Sequence, residues 1–262
     1  MVFQRKERNL NALLRILGLP AYFLGLIPGL APVVRALSSS VGQKMLMATS
    51  GLSLVGFLVV HLAGNLQLYA GEDVFNAYAA KLHSLGPLLG IAEVGLFAMF
   101  ALHIGLAVST AAMNRVARGS AYAMKQTKQG LFVLPSGGAS SWMMVTGVLI
   151  FIFLVSHILD MKLKKGFGVD YTAALDASGE ATNSFQAVKA VLQHPAHSVL
   201  YIVCIIALGI HLSHGIRSAL QTFGLHHRNW NFIFRWSGFL LAWAIAGGFI
   251  SVVVWAMAVS NS

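Results

Sequence analysis

The sequence predicts an all-α membrane protein, built as a bundle of five transmembrane helices. Only 10% of its 262 residues are charged and 57% are apolar, whereas an ordinary soluble domain is about a quarter charged. The mean hydropathy is +0.73. This composition has too little charge to cover the surface of a soluble protein of this size, so it favours a multi-span membrane protein over a soluble enzyme.

Five apolar runs are long enough to cross about 30 Å of hydrocarbon as helices, which takes about 20 residues each. Helix is the expected state because backbone polar groups in lipid must be satisfied within their own segment. Glycine, alanine and serine are scattered through the runs, and such small residues let helices approach closely in a membrane. The predicted spans lie near residues 45–70, 88–113, 141–161, 196–220 and 233–258.

The segment before the first span has a different character. Its stretch 16–34 is apolar but contains Pro20, Pro28 and Pro32, and prolines this dense do not allow a straight spanning helix. The basic residues ahead of it also fit a signal peptide, but Arg35 sits badly for cleavage. We predict an uncleaved interfacial or re-entrant element in residues 1–40, followed by a five-helix membrane domain over 41–262.

The basic residues of the loops predict the orientation. Thirteen Lys and Arg residues fall on the side of the N-terminus and five on the other side. The positive-inside rule therefore places the N-terminus in the cytoplasm and the C-terminus outside. The net charge of +10 is then mainly a cytoplasmic surface facing anionic lipid or a partner protein, and not a nucleic-acid site. The long outer loop, from about 162 to 195, is expected to fold over the outer end of the bundle.

Four of the ten histidines lie in different predicted spans. Ionisable residues inside a membrane are rare and mark function, and one histidine on each of four consecutive helices points to a shared cofactor. Neutral imidazole is an axial ligand of haem iron, and helix bundles build cofactor sites from facing side chains. No CxxCH motif is present, so a haem would be bound non-covalently. The four are His61, His103, His157 and His211.

Depth along the helices predicts how these histidines pair. At 1.5 Å per residue, His61 and His157 lie about 25 Å and about 24 Å from the inner ends of their spans. His103 lies about 18 Å from the inner end, and His211 about 20 Å if its helix ends near Gly224. We therefore expect the pairs His61/His157 toward the outside and His103/His211 nearer the cytoplasm, with two haems stacked across the membrane.

The other histidines offer weaker signals. His214 lies three residues after His211 on the same helical face, so spacing alone does not choose between them. The remaining five occur in predicted loops or at span ends, where ordinary surface histidines are expected. They are His83, His194, His197, His226 and His227.

Taken in order, the histidine-bearing segments resemble the cytochrome b membrane-anchor subunit of succinate:quinone oxidoreductases, in the single-anchor, five-helix, two-haem form of bacterial succinate dehydrogenases and fumarate reductases. The likeness covers roughly residues 41–258. Its most specific piece is HLSHGIRSALQTFG at 211–224, which favours His211 over His214 as the ligand. The other pieces are SGLSLVGFLVVHL at 50–62, FNAYAAKLHSLGP at 75–87, HIGLAVSTAAMNR at 103–115 and LVSHILDMK at 154–162.

The resemblance implies a set of cofactors and partners. It implies two b haems, each held by two imidazoles, in a multi-pass protein of a bacterial cytoplasmic membrane. It also implies a flavoprotein and an iron–sulfur protein docked on the cytoplasmic face, and electron transfer to or from a membrane quinone, with menaquinone favoured. Such a chain is not an enzyme by itself, because the dicarboxylate chemistry belongs to its partners.

Charge and position supply candidates for further contacts. Haem carboxylates need cations or hydrogen-bond donors near the interface, and an intramembrane glutamate is costly without a function or a partner. His83, in the first outer loop, is retained as a possible quinone contact. Candidate propionate contacts are Lys44, Thr49, Ser50, Arg115 and Arg217, and candidate quinone contacts are Asn65, Gln67, His83 and Glu93.

Two other functions fit part of this pattern. A di-haem cytochrome b of a formate dehydrogenase or hydrogenase shares the histidines but not the GIR segment, and its co-purifying subunits would differ. A proton-coupled transporter uses intramembrane histidine and glutamate as relays and binds no haem. Transporters usually show internal repeats or interrupted helices, and neither is evident in the five apolar runs.

Overall fold

The computed structural model describes residues 32, 36–37, 39–117, 139–176, 182–225 and 231–259. Within these residues the chain is almost entirely helical, and the prediction of an all-α protein with five candidate membrane spans is confirmed. The predicted interfacial segment 1–40 lies almost wholly outside the described residues. The cytoplasmic position of the N-terminus stays a prediction.

Five long helices match the predicted spans. The first span is α1, and α2 is a short helix that follows it; α3 and α4 are the second and third spans. A second short helix, α5, precedes the last two spans, α6 and α7. The bounds are Ser40–Asn65 (α1), Glu72–His83 (α2), Pro87–Ala117 (α3), Ala139–His157 (α4), Ser184–Gln193 (α5), Pro195–Thr222 (α6) and Asn231–Ala258 (α7).

Local sequence signals set several of the helix ends. Ser39 caps α1 by accepting a hydrogen bond from the backbone N–H of Gly42 at 3.1 Å. Pro195 occupies the first turn of α6, where its missing N–H costs nothing. The end of α6 near Gly224 is confirmed, because Gly224 has φ 77°, a left-handed conformation that glycine adopts without strain.

The helices pack unevenly. Helix α6 packs against α7, α4 and α1, and α1 also contacts α7, so α1, α6 and α7 form the centre of the bundle. A Cβ on Gly248 of α7 would lie only 2.7 Å from the Leu62 side chain of α1, so a larger residue here would require Leu62 to move. Among the described residues, the main partner of α3 is α1, and no extensive backbone contact joins α4 to α1 or α3.

A polar cap covers one end of the bundle, which we call the cap end. It consists of α2, which follows α1, and α5 in the loop between α4 and α6, as expected for a loop that folds over the bundle. Asn76 of α2 donates to Asn183 and accepts from the backbone N–H of Phe185, both at 3.0 Å. Glu72 accepts from Gln186 at 2.8 Å. Two separate loops are thereby joined into one cap.

Candidate functional site

His61 of α1 and His157 of α4 meet near the cap end. Their ring centroids lie 5.8 Å apart and the ring planes are perpendicular. Aromatic rings line the pair: Phe57 stacks on His61 at 5.3 Å, and Phe153 lies 5.6 Å from His157. The two imidazoles thus approach each other although the backbones of α1 and α4 make no extensive contact within the described residues.

The distance between these rings suits two ligands of one metal. A bond from a metal to an imidazole nitrogen is about 2 Å long, and the ring centroid lies about 1 Å farther, so two imidazoles on opposite sides of one ion have centroids about 6 Å apart. The observed 5.8 Å agrees with that spacing. Perpendicular ring planes are compatible with it as well, because each ring can rotate about its own metal bond.

His103 of α3 is held by α1 in one tautomer. Ser50 donates its hydroxyl hydrogen to the Met47 carbonyl at 3.1 Å, and its Oγ lies 3.1 Å from His103 Nδ1. Because that hydrogen is already used, Oγ accepts from Nδ1–H, and the lone pair of Nε2 is left free to bind a metal. A Cβ on Gly51 would lie 3.2 Å from the ring, so glycine gives the imidazole room.

His211 of α6 is held by α4 in the same manner. Thr146 donates to the Trp142 carbonyl at 2.9 Å, and its Oγ1 lies 3.1 Å from His211 Nδ1. This hydroxyl therefore also accepts from Nδ1–H and leaves the Nε2 lone pair free. His211 lies within electrostatic range of both His103 and His214.

The two arrangements come from one repeated motif. Residues 47–61 of α1 and 143–157 of α4 both read Met-x-x-Ser/Thr-Gly, then nine residues, then His. In each copy, the hydroxyl residue contacts a histidine of the His103/His211 pair. The histidine that ends the motif belongs to the His61/His157 pair, about 16 Å farther along the helix. The motif has only four fixed positions, which is too few to stand out in apolar runs.

A buried carboxylate lies about one helical turn after His157 in the chain. Asp160 is 1% exposed, and its Oδ2 accepts from Tyr201 Oη and from His197 Nδ1, both at 3.0 Å. His197 Nε2 lies 2.9 Å from the Phe167 carbonyl oxygen. Both ring nitrogens of His197 thus lie within hydrogen-bond distance of oxygen atoms. Both side chains of the Asp160–His197 pair are buried.

The hydroxyl of Tyr201 connects the Asp160–His197 pair to His157. Tyr201 Oη lies 3.3 Å from His157 Nδ1, and it donates its own hydrogen to Asp160. It therefore accepts from His157 Nδ1–H, which leaves the Nε2 lone pair of His157 free, as in His103 and His211.

The prediction that His197 is an ordinary surface residue is wrong. Its side chain is buried because the chain after α4 folds back over the start of α6 and brings Phe167 and Asp160 around the ring. A carboxylate at the end of one span and a histidine at the start of the next were the available signals. His226 and His227 lie outside the described residues.

The turn after α4 closes tightly over Asp160. Tyr171 Oη donates to the backbone carbonyl of Asp160 at 2.9 Å and accepts from the Gly166 N–H at 3.3 Å. A Cβ on Gly166 would lie 2.6 Å from Tyr171 Oη and 2.7 Å from Asp160 Oδ1, so this position requires glycine. Burial raises the pKa of Tyr171 above its ordinary value, which keeps the phenol protonated as a donor.

The candidate propionate contacts differ in their surroundings. Lys44 and Thr49 are exposed on α1. The hydroxyl hydrogen of Ser50 is donated to Met47, so Ser50 has no hydrogen to give to a haem carboxylate. Arg217 is half-buried and interacts electrostatically with His214. The side chain of Arg115 lies outside the described residues.

Trp142 is a further donor that the sequence did not single out. Its indole Nε1 is buried and has no hydrogen-bond partner among the described residues. Trp142 lies one turn before Thr146, on the side of α4 away from the cap end. A buried indole N–H normally finds an acceptor, so this atom is suited to an anionic group beside the His211 layer.

The candidate quinone contacts are spread over the cap half of the molecule. Glu93 of α3 pairs with Lys162 beyond the end of α4 and lines a mostly apolar groove of about 340 Å³ between α1 and α3. Asn65 donates to the backbone carbonyl of His61 at 2.8 Å. Gln67 is half-buried, and His83 is exposed at the end of α2. The structure does not bring these four together into one site.

Residues 124–231 match the family of succinate dehydrogenase/fumarate reductase transmembrane subunits. Over this segment the chain is similar to a membrane subunit of the succinate dehydrogenase/fumarate reductase type. No curated protein and no solved structure matches the chain at a significant level.

The family match supports the sequence-based recognition and the coarse function. The matched segment contains two of the four paired histidines, His157 and His211, together with Asp160, His197 and Tyr201. The five spanning helices agree with a multi-pass membrane protein.

Proposed function

We propose that this subunit binds two b haems and passes electrons between an iron–sulfur subunit and a membrane quinone. His61 and His157 would hold the haem nearer the cap end, which we call the outer haem. His103 and His211 would hold the other, the inner haem. The observation that carries the proposal is the pair of facing imidazoles from α1 and α4, 5.8 Å apart between their ring centroids.

The packing of the helices supports this assignment. The four histidines come from α1, α3, α4 and α6, and no extensive backbone contact joins α4 to α1 or to α3 among the described residues. A flat, largely apolar macrocycle suits such a space between helices, and bundles bind cofactors in this way. Held by two imidazoles, a haem at each pair would supply one-electron transfer.

The residues around the proposed inner haem have distinct roles in this proposal. Ser50 and Thr146 orient the two ligands of the inner haem through Nδ1, which directs Nε2 toward the iron. We therefore assign Ser50 to ligand positioning in place of the propionate contact predicted for it. Trp142 and Arg217, with Lys44, Thr49 and Arg115 as further candidates, would meet the haem carboxylates on the side away from the cap.

The likeness to the family and the charge distribution support a proposal for the partners and the quinone. A flavoprotein and an iron–sulfur protein would dock on the basic cytoplasmic face of a bacterial membrane. The quinone, with menaquinone favoured, would bind at the outer half of the bundle. The groove lined by Glu93 is the best-shaped candidate, because it is apolar and carries one carboxylate whose charge Lys162 balances. Asn65, Gln67 and His83 remain alternative contacts.

Purification of the tagged chain in mild detergent from its native membrane tests the proposal. We expect a flavoprotein and an iron–sulfur protein to co-purify, and succinate to reduce b haem in the complex. Added menaquinone should then reoxidise the haem. Reduction by formate or hydrogen with no response to succinate would instead assign the chain to another quinone-linked complex.

A further inference from the structure

Three of the proposed haem ligands differ in the group that lies beside their Nδ1 atom. Ser50 and Thr146, the partners of His103 and His211, are neutral hydroxyls whose own hydrogens go to backbone carbonyls. The partner of His157 is Tyr201, whose hydrogen goes to the buried carboxylate of Asp160. Among these three histidines, only His157 is joined through a hydroxyl to a carboxyl group.

We propose that Tyr201 and Asp160 are positioning residues of the outer haem, which hold His157 in its ligating tautomer and lower the reduction potential of that haem. The inference rests on the proposed function. A hydrogen bond that leads to a carboxylate gives the imidazole more anionic character and makes it a stronger donor to iron. A stronger donor favours ferric over ferrous iron, so the potential falls.

Several elements hold the Asp160 carboxyl group in place. His197 contacts it from α6 at 3.0 Å, and Ser156 donates to it from the preceding turn at 3.3 Å. Because the group is almost fully buried, its hydrogen bonds act in a medium of low dielectric constant, where they are electrostatically stronger than in water.

A purely structural role for Tyr201 can be separated from the proposed one. Its ring packs edge-to-face on Phe153 with centroids 4.9 Å apart, and Tyr201→Phe keeps that packing while it removes the hydroxyl. Tyr171→Phe is a matched control, since it also removes a phenol hydroxyl from the Asp160 cluster. That hydroxyl contacts the backbone of Asp160 and the N–H of Gly166, and makes no hydrogen bond to His157.

Redox titration of the haem absorbance in the purified complex is the test. A His103→Ala variant, which keeps only the outer haem, identifies its potential. In Tyr201→Phe with two haems bound, we expect the potential of the outer haem to rise and that of the inner haem to stay unchanged. Tyr171→Phe should leave both potentials at the wild-type values. Asp160→Asn, which keeps the shape but removes the carboxylate, should shift the outer haem in the same direction.

The outcomes separate this inference from the proposed function. Unchanged potentials in Tyr201→Phe with both haems bound would overturn the inference alone, as would an equal shift in Tyr171→Phe. A folded wild-type protein without haem would overturn the proposed function, and this inference with it.

Discussion

At the scale of single residues, three of the paired histidines share a hydroxyl group that lies within hydrogen-bond distance of Nδ1. Ser50, Thr146 and Tyr201 each accept from Nδ1–H because each donates its own hydrogen elsewhere. A histidine in a membrane that merely joined two helices would not need its tautomer fixed from one side. This shared arrangement, more than the presence of histidine in a span, supports metal ligation.

Substitution of single ligands tests the pairing. His61→Ala and His157→Ala should each remove the outer haem, whereas His103→Ala and His211→Ala should each remove the inner one, because an iron that loses one of two axial ligands is held weakly. Haem content and the reduced-minus-oxidised spectrum of each purified variant report the result. Loss of the same haem from His61→Ala and His211→Ala would break the pairing. His214→Ala is the control, and it should retain both haems.

The hydroxyl partners of the inner ligands should matter less than the ligands themselves. Ser50→Ala and Thr146→Ala should weaken retention of the inner haem by about 10–100-fold, the usual effect of removing a group that orients a metal ligand. Transfer of haem to an acceptor protein in detergent measures retention. Ser50→Thr and Thr146→Ser keep the hydroxyl and should behave as wild type. A preferential loss of the outer haem would contradict the assignment of these hydroxyls.

At the scale of elements, the segment after α4 links the histidine layer to the cap. The helix passes directly into a wider turn at Ile158–Lys162, and such wide helical turns are frequent at functional sites. This turn places Asp160 inside the protein, while Lys162 reaches Glu93 on α3. One short segment therefore connects α4, α3 and α6 at the level of the outer pair.

Gly166→Ala tests the closure of this segment. The added Cβ would overlap Tyr171 Oη and Asp160 Oδ1, and crowding of a packed interior costs about 1–3 kcal/mol. We expect a lower thermal midpoint in detergent and a disturbed outer haem beside an intact inner haem. Gly90→Ala on α3 is the control, since nothing lies within 4 Å of its Cβ position. Equal midpoints for the two variants would show that the turn is not constrained as described.

The spans could be predicted from sequence because hydropathy alone determines them. The depth argument placed His61 and His157 in one layer because the rise per residue of a helix is fixed. The roles of Ser50 and Thr146 were out of reach, since they depend on how each helix is rotated toward its neighbour. Asp160 and His197 meet only because the chain folds back after α4, and no periodicity in the sequence encodes that contact.

At the scale of the whole molecule, the inner histidine pair, the outer histidine pair and the cap follow one another along the bundle. The layers lie about 16 Å apart along α1 and α4, within a hydrocarbon thickness of about 30 Å. The cap closes the end nearest His61 and His157. The positive-inside rule assigns that end to the outside, so electrons from cytoplasmic partners would reach the inner haem first.

The orientation can be tested with one introduced cysteine. The native Cys204 is 2% exposed and Phe167, in the loop after α4, is 92% exposed. In intact cells, a maleimide that does not cross membranes should label Phe167→Cys and leave the wild-type chain unlabelled. Labelling of the variant only after the cells are opened would place the cap in the cytoplasm and reverse the proposed direction of electron flow.

The central claim is that this chain carries two bis-histidine b haems. The most direct test is the dithionite-reduced minus oxidised spectrum of the purified, folded protein, with haem quantified per chain. The account predicts two b-type haems per chain. A folded protein that contains no haem would contradict it.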